Sequence, residues 1–460
     1  MRTSYAFAIF LKKHITSSVL LLIATIAALV LANTCARDFY QNLWLAPVNI
    51  GIGGFNLLSH GGRPLTLGGF INDALMAVFF LSVGLEIKRE MLCGELSSPK
   101  KALAPVIGAC GGMLMPVVVF GLLCPDNPDM QRGIAIPMAT DIAFSLGCLS
   151  IFYKRCPVAL KMFLAALAVA DDLGGIIVIA IRYTEHLSFL HLGIAAAIVA
   201  VLLMGNKYNI RAKSFYLSMG IVLWYFTLNS GIHSTIAGVV LAFCIPANLP
   251  NGTKKYIKRI TDDMKKFPVL EATDKPVVLS HEELSTLKHV ETASDHLISP
   301  LQDIEDNLGN MVNFFIIPLF AFASAGVDFT GMTPMNLFSG VGISVFLGLL
   351  LGKFTGVFTI SWICIKLGII QMPRHATWAS FASICMICGI GFTVSMFMAN
   401  LSYPAHMGAQ FVPLLNDAKL GILGGSVASA IVGCIMLHFT LPSEKELARL
   451  KAEDEAAEHC

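Results

Sequence analysis

Four hundred and sixty residues would suit two or three soluble domains, but 55% hydrophobic and 13% charged residues, with a mean hydropathy of +0.71, leave too little polar surface to cover a water-exposed globule. The composition describes a polytopic membrane protein. A formal net charge of +2 gives no reason to expect a nucleic-acid partner, and twelve cysteines scattered singly, many in apolar runs such as those of Cys110, Cys148, Cys244 and Cys434, imply no disulfide framework.

Twelve apolar runs are long enough to cross about 30 Å of hydrocarbon at 1.5 Å per helical residue. They lie near 16–33, 69–92, 103–124, 131–152, 158–184, 188–205, 213–229, 232–247, 309–327, 339–365, 377–400 and 415–438. The first, following Arg2, Lys12, Lys13 and His14, also has the look of a secretory signal, but eleven further spans follow and no small-x-small cleavage site stands out. Residues 1–15 are expected to be cytoplasmic or interfacial, with Tyr5 to Phe10 along the membrane surface.

Basic residues test this topology separately from hydropathy, because they concentrate on the cytoplasmic side. With the N-terminus inside, Lys88, Arg89, Lys100, Lys101, Lys154, Arg155, Lys207, Arg211 and Lys213 fall in cytoplasmic segments. The opposite side holds Arg37, Arg63, Arg132, Arg182 and Lys419. Both termini are then cytoplasmic.

Two connections are long. The stretch 46–69 places Val48-Asn49-Ile50 and Leu65-Thr66-Leu67 around Gly-Gly pairs, which suits an extended periplasmic hairpin as well as it suits a plain loop. The stretch 248–308 divides spans 1–8 (16–247) from spans 9–12 (309–438) and is rich in both signs of charge, so it is expected to be solvated, partly helical and cytoplasmic. Residues 439–460 form a charged tail in which a short helix is expected from Ser443.

An ionised side chain deep in a membrane costs at least a few kcal/mol, so each one is a functional hypothesis. Four are deep: Asp141, Asp171, Asp172 and Lys353. Asp73 and Glu86 fall toward the ends of the second span, where water reaches them. Asp171 and Asp172 are about 100° apart around a helix, so one can face an ion path while the other faces a partner. Lys353 is the one buried cation available to them. A purely structural ion pair is the plainer reading, but three acids exceed one base, and carboxylates left over at that depth are neutralised by protons or metal ions.

Helix breakers recur near these charges. Ile136-Pro137-Met138-Ala139-Thr140-Asp141 interrupts the fourth span and Cys388-Gly389-Ile390-Gly391-Phe392-Thr393 the eleventh. A broken helix at that depth survives only where protein or a water-filled cavity satisfies the freed backbone groups. Its facing ends are local charges, which Asp141 and Lys353 are placed to neutralise. Spans 3–5 and 10–12 share the order helix, broken helix, helix, and parity gives the two trios opposite orientation.

Four stretches, Ala139-Thr140-Asp141-Ile142-Ala143-Phe144, Ala168-Val169-Ala170-Asp171-Asp172-Leu173-Gly174, Val83-Gly84-Leu85-Glu86-Ile87-Lys88-Arg89-Glu90 and Cys388-Gly389-Ile390-Gly391-Phe392-Thr393, closely resemble the bacterial NhaA sodium/proton antiporters. The resemblance covers residues 15 to 440 apart from most of 249–303. Inverted repeats flanking a midplane ion site are a general plan of secondary transporters, NhaA itself being one of the proteins from which that rule is drawn. The resemblance implies an all-α polytopic fold with two broken helices crossing at the midplane, in the inner membrane of a bacterium. It implies exchange of Na+ or Li+ for H+, with no cofactor. Asp171 and Asp172 would bind the ion and carry protons, Thr140 and Asp141 would adjoin them, and Lys353 would pair with Asp171 or balance the crossing. A pH-responsive cytoplasmic funnel maps onto Glu86, Arg89 and Glu90. His233 matches a histidine linked to pH response, although a structural histidine is an equal reading. Ile304-Glu305-Asp306-Asn307-Leu308 departs from the usual Leu-Glu-His-x-Leu, with Glu305 retained for a regulatory role. The 46–69 stretch resembles a hairpin that joins two subunits, implying a homodimer.

An intramembrane aspartyl protease and a cation channel are the competing classes. The protease would draw its aspartates from two helices, one in a Gly-x-Gly-Asp setting that is absent here, and a channel would need a continuous polar pore rather than charges gathered at one depth. His281-Glu282 lacks the second histidine of a zinc motif, and Cys385 and Cys388 suit packing in an apolar span.

Overall fold

In this computed structural model the described residues are 17–443, 446 and 449, apart from 50, 53–54, 57–58, 61–62, 95, 153–154, 185–186, 249–252, 267–279, 330–339, 405–407 and 409. The N-terminal surface segment and most of the charged tail therefore lie outside them, although Ser443 and Glu446 exchange the reciprocal hydrogen bonds of a helix cap.

Among the described residues the chain is almost wholly helical. In order the helices are α1 (Ser17–Ala32), α2 (Arg37–Leu45), α3 (Leu67–Cys93), α4 (Pro99–Leu123), α5 (Pro128–Met138), α6 (Ile142–Ile151), α7 (Val158–Arg182), α8 (Phe189–Lys207) and α9 (Lys213–Leu228). They continue as α10 (Thr235–Cys244), α11 (Thr253–Lys266), α12 (His281–Leu297), α13 (Pro300–Ser324), α14 (Gly340–Lys366), α15 (Trp378–Ile387), α16 (Phe392–Ser402) and α17 (Phe411–Thr440). Each of the twelve apolar runs contains helix. Seven helices are long and apolar enough to cross a membrane, or up to ten if each bent pair is one span. Among the described residues, length and composition therefore support seven to ten crossings rather than fixing twelve, because α9 and α10 have only 16 and 10 residues.

Within 46–69 the described backbone forms short antiparallel pairs. Gly51–Ile52 pairs with Phe55–Asn56, Ser59–His60 with Arg63–Pro64, and Val48 N–H donates to Leu65 O at 2.8 Å. The ninth apolar span starts earlier than hydropathy places it. Ser299 caps a helix whose first residue is Pro300, and the helix runs on through a π-turn at Val312–Ile316, so Asp303, Glu305 and Asp306 occupy its first turns. Lys419, inside the twelfth apolar run, lies within α17 and is buried.

Tight backbone contacts hold the bundle, as expected where apolar burial alone does not drive helices together. On the facing surfaces of α4 and α14, a Cβ added to Gly111 would strike the Gly356 carbonyl and one added to Gly356 would strike that of Gly111. The trio α4, α5–α6, α7 and the trio α14, α15–α16, α17 thus meet along their leading helices and again where their broken helices cross.

Candidate functional site: a crossing of broken helices

Pro137 removes a donor near the end of α5, which is wound as a 3-10 helix over Arg132–Met138, and the chain turns extended at Ala139 before α6 begins. The second break runs through Cys388-Gly389-Ile390-Gly391. Both glycines are required by close approach: a Cβ at Gly389 would lie 2.6 Å from the Leu349 carbonyl, and one at Gly391 would lie 2.9 Å from that of Ala139. The helices bend by 43° and 42° at the two breaks.

Each break satisfies the other. Asp141 N–H donates to Ile390 O at 2.7 Å, Thr140 Oγ1 to Cys388 O at 3.0 Å and Ser395 Oγ to Ile136 O at 2.9 Å. Backbone groups that would be orphaned in hydrocarbon are thus bonded across more than two hundred residues of sequence.

Side-chain charges complete the crossing. Asp141 Oδ1 accepts Phe144 N–H at 3.0 Å, while Oδ2 accepts Thr393 N–H at 3.0 Å and Thr393 Oγ1 at 2.6 Å. One carboxylate therefore caps the N-termini of both α6 and α16, where anions are favoured. Lys353 ends a π-turn, Gly348–Lys353, inside α14. Its Nζ lies 2.5 Å from Asp171 Oδ2 and also donates to Met138 O at the C-terminus of α5, where cations are favoured.

Asp171 and Asp172 sit midway along α7 and are sealed from solvent, at 1% and 2% exposure. Asp171 has Lys353, and Thr140 adjoins it. Neither carboxylate oxygen of Asp172 has a hydrogen-bond partner among the described residues. Both acids line a narrow void with Phe80, Met138, Ala139, Gly175, Ile179, Val394 and Met398, roomy enough for about one water-sized particle.

A second, larger cavity of about 270 Å³ lies toward the N-terminal end of α7, lined by Glu86, Arg89, Glu90, Cys93, Gly94, Met162, Ala165 and Val169. Arg89 Nη1 pairs with Glu305 Oε1 at 2.6 Å and Arg89 Nη2 with Glu90 Oε1 at 3.4 Å. Four of the five residues proposed for pH response are thus brought to one place. His233 is not among them: it stands at the other end of α3, with Nε2 3.7 Å from Asp73 Oδ1 and its ring against Phe397.

Sequence reading missed Thr393 as a partner of Asp141, Phe80 as a wall of the void and the Asp73–His233 contact. Signals for two of them were present: Thr393 is the second residue of the helix after a Gly-x-Gly break, and Asp73 lies in a π-turn, Ile71–Leu75, of the kind that gathers at functional sites. Cys385, in α15, and Cys388, at the start of the second break, are both buried.

An unpaired carboxylate beside a buried ion pair, held where two interrupted helices cross, is the arrangement of an ion-coupled membrane transporter. The family model for Na+/H+ antiporter 1 matches residues 8–437. The chain is 49% identical over 436 residues to the Na(+)/H(+) antiporter NhaA of Bacteroides thetaiotaomicron, covering 95% of this chain and 98% of that protein. It is 48% identical over 433 residues to the antiporter of the same name from Phocaeicola vulgatus (94% and 95% covered) and 40% over 435 residues to one from Porphyromonas gingivalis (94% and 95%). The chain belongs to the NhaA family of Na+/H+ antiporters.

Proposed function

We propose that this protein exports Na+ or Li+ across a bacterial inner membrane in exchange for H+, by alternating access, with Asp171 and Asp172 binding the two kinds of cation in turn. The observation that carries the reading is Asp172: a sealed carboxylate without a hydrogen-bond partner among the described residues, one residue from another whose partner is a lysine. Hard cations prefer such oxygen ligands, and protons neutralise the same oxygens. Thr140 and Asp141 hold the crossing beside them. Glu86, Arg89, Glu90 and Glu305 tune the pH response at the cavity mouth, with His233 acting separately on the other side. Both termini are cytoplasmic, and the 46–69 hairpin joins two copies into a homodimer.

The pair carries −2 when both acids are ionised; one Na+ leaves −1 and two protons leave 0. Exchange of one Na+ for two H+ then moves one net charge per cycle, with Lys353 keeping its charge or supplying one of the two protons. A membrane potential contributes about 2.3 kcal/mol per 100 mV to each charge moved, so an inside-negative cell expels sodium without a pH gradient.

The test is pH-gradient dequenching in proteoliposomes with Na+, Li+ and K+, for the wild type and for Asp171→Asn and Asp172→Asn. Wild-type response to Na+ and Li+ with none in either variant is expected; sodium-driven proton movement retained by a normally inserted variant rejects the site. A potassium/valinomycin potential imposed on oriented proteoliposomes should change sodium flux. Flux and final gradient indifferent to that potential reject the two-for-one exchange.

A further inference from the structure

The hairpin of α11 and α12 is the part of the chain that ion exchange leaves unused. Its base is tied to the bundle: Ala293 is buried, Arg211 Nη2 donates to Ile298 O at 2.8 Å and Leu301 N–H to Pro246 O at 3.3 Å. It therefore stands at the end of the bundle where Lys88, Arg211 and Lys213 gather, bracketed in sequence by α10 and α13, both apolar.

The α11 sequence, Thr253–Lys266, carries Lys254, Lys255, Lys258, Arg259, Lys265 and Lys266 against only Asp262 and Asp263. At about 100° per residue, Lys254, Lys258 and Lys265 project within about 40° of one another, and Ile257, Thr261 and Met264 lie on the adjoining arc. All six are exposed, Ile257 at 52% and Met264 at 50%. Tyr256, Ile260 and Asp263, farther round, are half-buried on the side that α12 covers. Packing on α12 thus accounts for one apolar edge and leaves a second, bordered by lysines. Nor does the acidic α12 neutralise those charges, since Lys254, Lys258, Arg259 and Lys265 form no ion pair among the described residues.

We propose that α11 rests on the membrane surface at this end of the bundle, with Ile257 and Met264 dipping between headgroups and Lys254, Lys258 and Lys265 taking the phosphates of anionic lipid. A row of lysines beside a narrow apolar edge is the pattern of helices that lie in an anionic interface. Tethering favours the bilayer over a soluble acidic partner: a hairpin whose base is bonded to the bundle keeps α11 near the lipid surface, so the effective concentration of that surface is high.

The measurement is amide hydrogen exchange of the full chain in nanodiscs of neutral phosphatidylcholine and in discs with about one-third phosphatidylglycerol. The α11 amides should exchange about tenfold more slowly in the anionic discs, while α12 behaves alike in both. The difference should collapse at high salt, in Lys254→Gln/Lys258→Gln/Lys265→Gln and in Ile257→Ser/Met264→Ser, all surface changes that leave the bundle intact. Equal protection in neutral discs, anionic discs and detergent would assign α11 to α12 alone and overturn the proposal. Protection that ignores salt and survives the glutamine substitutions would overturn it too.

Discussion

At the crossing, Asp141, Asp171, Asp172 and Lys353 are all at or below 2% exposure, and three of the four are held by bonds to helix ends or to each other. At the mouth of the larger cavity the same kinds of group are wet: Arg89 keeps 42% of its side chain exposed and Glu90 21%. Buried charges interact strongly because little water screens them, and removing one partner leaves the other stranded; exposed pairs contribute about 0–1 kcal/mol. The crossing should therefore behave as structure and reaction centre at once, and the mouth as an adjustable field around it.

The largest effects belong to the Asp171–Lys353 pair and separate it from Asp172. Asp171→Asn and Lys353→Ala each strand a buried charge, a loss of about 3–5 kcal/mol, and should visibly lower the melting temperature in detergent. Lys353→Arg keeps the charge and should be milder. Asp172→Asn removes a carboxylate that bonds to nothing among the described residues, so it should abolish exchange with melting unchanged or raised. Equal melting losses for Asp171→Asn and Asp172→Asn would contradict the asymmetry seen here.

Next comes Asp141, which caps two helices with one carboxylate. Asp141→Ala removes both caps, at about 1 kcal/mol each, and should cost roughly 2 kcal/mol. Thr393→Val removes the hydroxyl contact but leaves the Thr393 amide on Asp141, and should cost about half as much. Thermal melts of the two variants and their combination check this; a double variant no worse than Asp141→Ala is expected, because both act through the same oxygen.

Much of the crossing was legible in the sequence for a physical reason. Charges are costly in hydrocarbon and adjoining breakers free backbone groups there, so Pro137, Gly389, Gly391, Asp141, Asp171, Asp172 and Lys353 stand out together without any knowledge of the fold. Which group meets which was not legible. The Asp141–Thr393 bond spans 252 positions, and the π-turn that precedes Lys353 leaves no mark in hydropathy. The start of α13 was hidden by the same rule that revealed the crossing: Asp303, Glu305 and Asp306 lower the hydropathy ahead of the ninth span, yet they occupy the first turns of its helix, where Glu305 pairs with Arg89. The burial of Lys419 was not legible either, because it depends on the helices packed around α17 rather than on hydropathy.

The smallest expected effect is at the mouth, and it tests whether that cluster acts as a field. Arg89 and Glu305 form a 2.6 Å pair between α3 and α13, beside Glu86 and Glu90. Removing Glu305 deletes a negative charge from the neighbourhood, so the remaining carboxylates there release their protons more readily; removing Arg89 deletes the positive charge and does the reverse. Glu305→Gln should therefore move the half-maximal pH of exchange downward and Arg89→Gln upward, each by roughly a few tenths of a unit, with maximal rates little changed. Because these groups are reached by water, the displacements should shrink as ionic strength rises toward 1 M, where screening extends only about 3 Å. Asp171 and Lys353, sealed at the crossing, should show no such salt sensitivity in their melting losses. Displacements of the same sign in both mouth variants would mean that breaking the α3–α13 contact, rather than changing the charge, sets the response, and the mouth would then have to be regarded as a structural clasp like the crossing.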